Sequence, residues 1–231
     1  MRRTTEDDAA WRELVAAASH DLRTPVTSLR LLTEAVDDQI VDGAGRREYV
    51  NRMRTHIGAL EAMIDDLFEL SRIEAGDISW PVEGVPVGEL VTETVAAMAV
   101  QAERRGITLR AELSARLGPA RANREKVRRV LFNLIENAIR HTPSHGEIVI
   151  RVERLAGGIG VEVADTGTGI APEERQRVFA PFYQAGKDPR SPRTAGLGLA
   201  VARAIVEAHG GRIWLPRAPR GTRVRFTLPA A

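Results

Sequence analysis

Cysteine is absent from the 231 residues of this sequence. Its absence excludes disulfide bonds, thiolate catalysis and cysteine-ligated zinc, and it is compatible with a reducing compartment. Aromatic residues make up only 4% of the chain, so aliphatic residues must supply most of the core. No apolar run approaches the roughly 18 residues that a membrane-spanning helix needs, and the first residues contain no signal-peptide core. We therefore expect a soluble, cytoplasmic segment, which is compatible with a fragment of a longer membrane protein.

An excess of charge of one sign is also missing. The chain has 33 Lys and Arg against 31 Asp and Glu, and the two signs are interspersed. Binding through nucleic-acid phosphates would require basic residues clustered on one face. We expect no nucleic-acid partner and no membrane contact by this segment.

Two long helices with a heptad seam are predicted for the first third of the chain. The seam residues, spaced by three and four, are Val15, Leu22, Val26, Leu29, Val36 and Ile40 in the first helix, with Ser19 and Thr33 filling the gaps, and Val50, Met53, Ile57, Leu60, Ile64 and Leu67 in the second. Asp42 to Gly45 are predicted to form the turn between them. A single hairpin cannot cover two such seams, so a second copy of the chain would complete a four-helix bundle. The alternative is an intramolecular coiled-coil spacer.

Glycines and prolines between residues 76 and 86 mark a domain boundary, which we place between residues 78 and 79. Beyond it, predicted helices cover residues 89–105, 124–141 and 197–209, and predicted strands cover residues 107–113, 147–155, 159–164, 212–215 and 222–228. This alternation predicts an α/β sandwich, a mixed sheet with helices on one face. Residues 186–193 contain two prolines and little apolar character, and we expect a mobile loop there.

A histidine with a neighbouring acid lies in the first predicted helix. His20 follows a seam residue and therefore lies beside the seam, where solvent can reach it. A neutral imidazole is a good nucleophile toward phosphorus, and the carboxylate of Asp21 can take its proton. Thr24 lies one turn further on, and Pro25 permits a bend in the helix. The alternative is an ordinary solvated histidine.

The predicted helix over residues 124–141 carries polar side chains beside its apolar stripe of Val127, Leu131, Leu134 and Ala138. Asn133, Asn137 and Arg140 share this flank. Amide oxygens can ligate a hard cation such as Mg²⁺, and an arginine can pair with phosphate. A plain polar face is the alternative.

Two glycine patterns follow. Asp165-Thr166-Gly167-Thr168-Gly169 comes after a strand, and its carboxylate can accept a hydrogen bond from an exocyclic amine such as that of adenine, while the glycines let the backbone approach a ligand. Gly196 and Gly198 open a helix whose first N–H groups can bind phosphates. Each pattern alone is compatible with an ordinary turn.

In order and spacing, these motifs resemble those of the sensor histidine kinases over nearly the whole chain. Residues 20–25 resemble the phosphoacceptor box, 133–137 the N box, 165–169 the first glycine box, 179–182 the F box and 196–198 the second glycine box. The resemblance implies a dimerisation and phosphotransfer domain over residues 1–78 and a Bergerat-type ATP-binding domain over residues 79–231.

The resemblance also implies roles for individual residues. His20 would be phosphorylated, Asp21 would be its acid/base partner, and Thr24 would orient water when the protein acts as a phosphatase. The ligands implied are ATP and Mg²⁺. Asn137 would be the main metal ligand, with Asn133 close by, and Arg140 and His141 would face the nucleotide. Asp165 would hold adenine in a pocket shaped by Gly167 and Gly169. Phe179 and Phe182 would anchor the ATP lid, and the phosphates would be bound by Gly196, Leu197 and Gly198. For both phenylalanines, a plain core position is the alternative.

Two departures from the family pattern concern the phosphate end. Thr194 stands where the family often has another glycine, and Arg140 stands where lysine is frequent. The resemblance further implies a homodimer, a membrane-bound parent sensor, and a separate response regulator whose receiver domain accepts the phosphoryl group. Two rival functions are a conformational ATPase like the chaperone and mismatch-repair ATPases, which would not phosphorylate itself, and a non-enzymatic dimeric scaffold.

Overall fold

The computed structural model describes residues 5–37, 43–184 and 196–231. Its elements in chain order are α1 (Thr5–Asp37), α2 (Gly43–Glu74), β1 (Glu83–Val85), α3 (Val87–Arg104), β2 (Thr108–Leu113), β3 (Ala120–Ala122), α4 (Arg124–His141), β4 (Glu147–Leu155), β5 (Gly158–Asp165), α5 (Gly198–Ala208), β6 (Ile213–Trp214) and β7 (Arg223–Pro229). In the part of the chain that the structure describes, no helix combines the length and the apolar character needed to cross a bilayer.

The chain divides into two compact units. One comprises the described parts of Met1–Ser71 and Pro181–Leu197, and the other comprises Arg72–Ala180 and Gly198–Ala231. Helices α1 and α2 fill most of the first unit, while the second unit contains the sheet and the three shorter helices.

Helices α1 and α2 are 33 and 32 residues long, as the heptad pattern predicts. Pro25 lies inside α1 without ending it, although it lacks the N–H that would bond one turn back. The predicted turn at residues 42–45 is wrong in its last three positions, because α2 already begins at Gly43. Asp42 and the seam position Ile40 lie outside the described residues.

Buried and exposed apolar residues of α2 each recur at intervals of seven positions. Met63 and Leu70 are buried, whereas the seam residues Val50, Ile57 and Ile64 are 37%, 47% and 56% exposed. Exposed β-branched residues are costly in water, since each buried aliphatic side chain is worth about 1.5–3 kcal/mol. Three of the six predicted seam residues of α2 are thus uncovered on a single chain, whereas Met53, Leu60 and Leu67 are half-buried.

The second unit is built on a five-stranded mixed sheet in the order β2-β4-β5-β7-β6. Strands β2 and β4 are parallel, and the remaining neighbours are antiparallel. Alternate residues of β7 are buried, namely Val224, Phe226 and Leu228. Helices α3, α4 and α5 contact successive strands of the sheet, which confirms the predicted α/β sandwich.

The predicted helices and strands of this unit are found with ends shifted by at most two residues. A second sheet was missed: β1 and β3 pair antiparallel, with Val85 opposite Ala120. These strands are three residues long and lie among prolines and glycines. A run of three residues is too short to display the alternation on which strand prediction depends.

Candidate nucleotide site and phosphoacceptor helix

Asp165, at the end of β5, has a carboxylate whose orientation is fixed by the backbone. Its Oδ1 accepts hydrogen bonds from the N–H groups of Gly167 at 2.8 Å and Thr222 at 3.1 Å. Burial raises the pKa of this carboxyl, while the two N–H donors and the nearby His141 act in the opposite direction. The chain therefore presents a half-buried, oriented acceptor, the chemistry that an exocyclic amine requires.

The packing of the loop after β5 against the end of α4 requires a glycine at position 167. A Cβ at this position would lie 2.3 Å from the carbonyl oxygen of His141 and 2.8 Å from Oδ1 of Asp165. Contacts this short are impossible for a real side chain. The sequence pattern attributes this glycine to a turn and to ligand approach, but the structure shows that it lets the loop pack against the end of α4. Gly169 does have the left-handed conformation expected of a turn glycine, with φ of 77°.

Sequence reasoning missed two residues that lie against Asp165. Thr222 supplies one of the two N–H donors to Asp165, and Gly221, with φ of 66°, lies so close that a Cβ would be 1.9 Å from the Asp165 carbonyl oxygen. The available signal was the pair Gly221-Thr222 directly before the alternating strand β7. Its meaning depends on the pairing of β5 with β7, which the local sequence does not reveal.

Helix α4 carries the polar residues of the site on one flank. Its N-terminus is capped by Asn123, whose Oδ1 accepts the N–H of Lys126 at 3.0 Å. The predicted apolar stripe is buried: Val127, Leu131, Leu134 and Ala138. This packing leaves Asn133 and Asn137 half-buried beside the core.

The two asparagines differ in their contacts. The Nδ2 of Asn133 donates to the carbonyl oxygen of Gly198 at 3.0 Å. The side chain of Asn137 makes no hydrogen bond within residues 5–37, 43–184 and 196–231. A half-buried amide oxygen without a protein donor fits a hard cation such as Mg²⁺. The residues present are therefore compatible with Asn137 as a metal ligand, whereas Asn133 uses its amide nitrogen to hold α5.

The last turn of α4 ends in two basic residues. Arg140 forms an ion pair with Glu136 at 3.3 Å, and burial lowers the pKa of its guanidinium without discharging it, since an arginine stays protonated in proteins. Burial also lowers the pKa of His141, and the charge of Arg140 adds to this effect. The charge of Asp165 opposes this shift. The net effect favours the neutral imidazole, which can form hydrogen bonds beside Asp165.

The segment that precedes α5 is shaped by two left-handed residues. Phe182 has φ of 61° and Gly196 has φ of 67°. A Cβ on Gly196 would lie 2.7 Å from the carbonyl oxygen of Tyr183, so the two ends of the intervening segment approach closely. That segment, residues 185–195, lies outside the described residues together with Thr194 and the predicted mobile loop. Phe179 and Leu197 are buried.

The predicted phosphoacceptor residues lie on α1. The backbone of His20 and Asp21 is helical, and their side chains lie outside the described residues. Thr24 is half-buried, and its carbonyl oxygen accepts the Ser28 hydroxyl at 3.1 Å.

Within the second unit, the described residues bring part of the predicted site together. Asp165, Gly167, Gly169 and His141 form one cluster, and Asn133 meets Gly198 in a second contact of the same unit. Phe182, Gly196 and Leu197 belong to the first unit together with α1.

Comparison with known families identifies both parts of the chain. The family model described as His Kinase A (phospho-acceptor) domain matches residues 10–76, and the one described as Histidine kinase-, DNA gyrase B-, and HSP90-like ATPase matches residues 122–231. The chain belongs to the sensor histidine kinases. It carries the catalytic core of such a kinase, including its ATP-binding domain.

Individual histidine kinases resemble this core over most of its length. The alginate biosynthesis sensor protein KinB of Pseudomonas aeruginosa is 32% identical over 99% of this chain and 39% of its own. The structure of full-length ShkA in complex with AMPPNP is 25% identical, covers 95% of this chain and 46% of its own, and has a TM-score of 0.71. The structure of ThkA in complex with the response regulator protein TrrA covers 98% of this chain and 64% of its own at 24% identity and a TM-score of 0.80, a likeness of fold. This kinase core spans between 22% and 39% of the length of the curated relatives that it matches.

Proposed function

We propose that this histidine kinase core phosphorylates its own His20 with Mg-ATP and passes the phosphoryl group to an aspartate of a separate response regulator. The observation that supports nucleotide use most directly is the Asp165 carboxylate, oriented by the N–H groups of Gly167 and Thr222. The adenine amine would donate to this carboxylate. ShkA binds the ATP analogue AMPPNP, and ThkA is in complex with a response regulator.

In the proposed reaction, the neutral imidazole of His20 attacks the γ-phosphorus of ATP. The bond from phosphorus to the β,γ-bridging oxygen breaks, ADP leaves with the electron pair, and the imidazole proton passes to the carboxylate of Asp21. Bound Mg²⁺ would neutralise phosphate charge, with the amide oxygen of Asn137 as its protein ligand. Arg140 would pair with a phosphate oxygen, and Gly196, Leu197 and Gly198 would form the phosphate end of the site.

Three further assignments belong to this proposal. Residues 1–78 form the dimerisation and phosphotransfer domain and residues 79–231 form the ATP-binding domain. The exposed stripe of Val50, Ile57 and Ile64 supports a homodimer, because a second copy would bury it. In the reverse direction, Thr24 orients the water that removes the phosphoryl group from the response regulator.

The main rival is an ATPase that changes conformation without phosphorylating itself. The match of residues 10–76 to a phosphoacceptor domain favours the kinase. Incubation with Mg-[γ-³²P]ATP, followed by mapping of the label, tests this choice. We expect label on His20 that is lost in acid and survives alkali, as a phosphoramidate does, and none on His20→Gln.

A matched control is His145→Asn. His145 is exposed and has φ of 65°, a conformation that asparagine tolerates. This variant should be labelled like the wild type. Label on His20→Gln, or an unlabelled wild type that nevertheless hydrolyses ATP, would contradict the proposed function.

A further inference from the structure

Within the second unit, the chain segment that follows α2 is held in place by an aromatic stack. The rings of Trp80 and His209 are stacked, with centroids 5.1 Å apart and planes inclined by 23°, and Lys126 Nζ lies 5.1 Å from the centroid of the Trp80 ring. The neighbouring apolar residues Ile78 and Val82 are 38% and 47% exposed. Stacked and cation–π contacts both stabilise a ring, and Trp80 is less exposed than Ile78 and Val82, so it is an apolar anchor of this segment.

Both ring nitrogens of the buried His209 have partners. Nδ1 lies 2.7 Å from the carbonyl oxygen of Ile205, and Nε2 accepts the backbone N–H of Asn123 at 3.0 Å. A carbonyl oxygen can only accept, so Nδ1 carries the proton and Nε2 is the unprotonated acceptor. Burial lowers the pKa of His209, and the cations Arg121 and Lys126 add to this effect. His209 is therefore neutral, with one defined tautomer.

Asn123 joins this stack to the N-terminus of α4. As the N-cap, its Oδ1 accepts from the N–H of Lys126, while its Nδ2 donates to the carbonyl oxygen of Pro81 at 2.9 Å. One residue thus contacts the start of α4, His209 at the end of α5 and the backbone next to Trp80. We call Trp80, Asn123, Lys126 and His209 the linker clamp.

Away from the linker clamp, the middle of α4 and the start of α5 contain nucleotide-site residues. Asn133 on α4 holds Gly198 at the start of α5, and Asn137 follows one turn later. The two helices pack on each other, so they are joined by Asn133–Gly198 near the nucleotide site and by Asn123–His209 at the linker clamp. A shift of one helix against the other would change the geometry of both hydrogen bonds.

We propose that the linker clamp couples docking of the segment after α2 to nucleotide occupancy, with Trp80 and His209 as positioning residues for the ATP site. The inference rests on the proposed function, since it requires nucleotide to bind beside Asn137 and Asp165. Nucleotide favours the docked segment, and by linkage a docked segment favours nucleotide to the same extent. Displacement of Trp80 therefore weakens ATP binding from the far end of α4 and α5.

The coupling is tested first on the intact wild-type chain labelled with fluorotryptophan. Its three tryptophans, Trp11, Trp80 and Trp214, give separate ¹⁹F resonances that single Trp→Phe variants assign. Saturation with ADP and Mg²⁺ should shift the Trp80 resonance. An unshifted Trp80 resonance at saturating ADP would overturn the coupling even if the nucleotide binds.

The second measurement is ATP affinity by calorimetry. Trp80→Ala should weaken binding about fivefold or more, Trp80→Phe should restore most of the loss because a ring can still stack, and Val82→Ala, a control in the same segment, should bind within about twofold of the wild type. Equal affinity of Trp80→Ala and wild type would overturn the coupling. A wild type that binds no ATP would instead overturn the proposed function, and the coupling with it.

Discussion

The side-chain amide of Asn133 donates a hydrogen bond to the carbonyl oxygen of Gly198 at 3.0 Å. A Cβ on Gly198 would be 3.6 Å from the Asn133 side chain, so the start of α5 lies directly on the flank of α4. The nitrogen of this amide is occupied by the protein, whereas Asn137 one turn later makes no such contact within the described ranges. The two asparagines therefore differ in their contacts: Asn133 holds α5, and Asn137 is the residue that we propose as a ligand of Mg²⁺.

The nucleotide site should separate base recognition from metal binding. Asp165→Asn can keep an oxygen on the N–H groups of Gly167 and Thr222, but it then points an NH₂ group toward the adenine amine. We expect ATP affinity to fall about 5- to 150-fold, as for a loss of about 1–3 kcal/mol. The preference for ATP over GTP should also weaken, with or without Mg²⁺.

Asn137→Ala should show the opposite pattern. Its defect should appear mainly with Mg²⁺ present and leave the preference for ATP over GTP intact, because the contact that we propose for this side chain is to the metal. Calorimetric titrations of both nucleotides with and without Mg²⁺ measure this. Unchanged base discrimination in Asp165→Asn, or altered discrimination in Asn137→Ala, would contradict the two assignments.

Gly167→Ala should destabilise the ATP-binding domain. The added methyl group would collide with the His141 carbonyl oxygen at 2.3 Å, and forced overpacking costs about 1–3 kcal/mol. Urea unfolding should show this loss together with weakened ATP binding. Gly157→Ala is the matched control, because a Cβ there has no atom within 4 Å. Equal stability of the two variants would show that the loop does not pack on α4 as described.

Thr24→Ala should retain autophosphorylation but dephosphorylate the response regulator more slowly, since the hydroxyl that we propose to orient water is lost. The matched control, Thr27→Ala, removes an exposed hydroxyl that donates to the Arg23 carbonyl oxygen at 2.9 Å on the same helix. Rates of phospho-His20 formation and of regulator dephosphorylation are measured for each. A parallel loss of both rates in Thr24→Ala would assign Thr24 to support of the helix.

The seam of α2 should hold two chains together. Ile57→Glu and Ile64→Glu place charges on the exposed stripe and should yield monomers that keep their helical circular dichroism. Thr55→Glu, also exposed but outside the seam, should remain dimeric. Light scattering at micromolar concentration measures the mass. A monomeric wild type, or dimers of both seam variants, would contradict the proposed bundle.

Sequence alone was sufficient for features encoded in periodicity and residue order. The heptads of α1 and α2, the buried stripe of α4 and the alternation of β7 each repeat within one element, so they can be recognised without a partner. The succession of the five motifs was likewise enough to identify the family, because it depends only on residue type and spacing.

Tertiary structure decided how those residues are used. Thr222 reaches Asp165 across 57 positions of sequence because β5 and β7 pair; Gly167 is a glycine because α4 ends beside it; and Asn133 holds Gly198 because α4 and α5 pack together. The linker clamp likewise joins Trp80 to His209, residues that no local pattern associates. Local sequence specifies which groups are available, whereas the distances between them are set by long-range pairing of strands and helices. This pairing gives the amide of Asn133 a partner on α5 and gives none to that of Asn137 within the described residues.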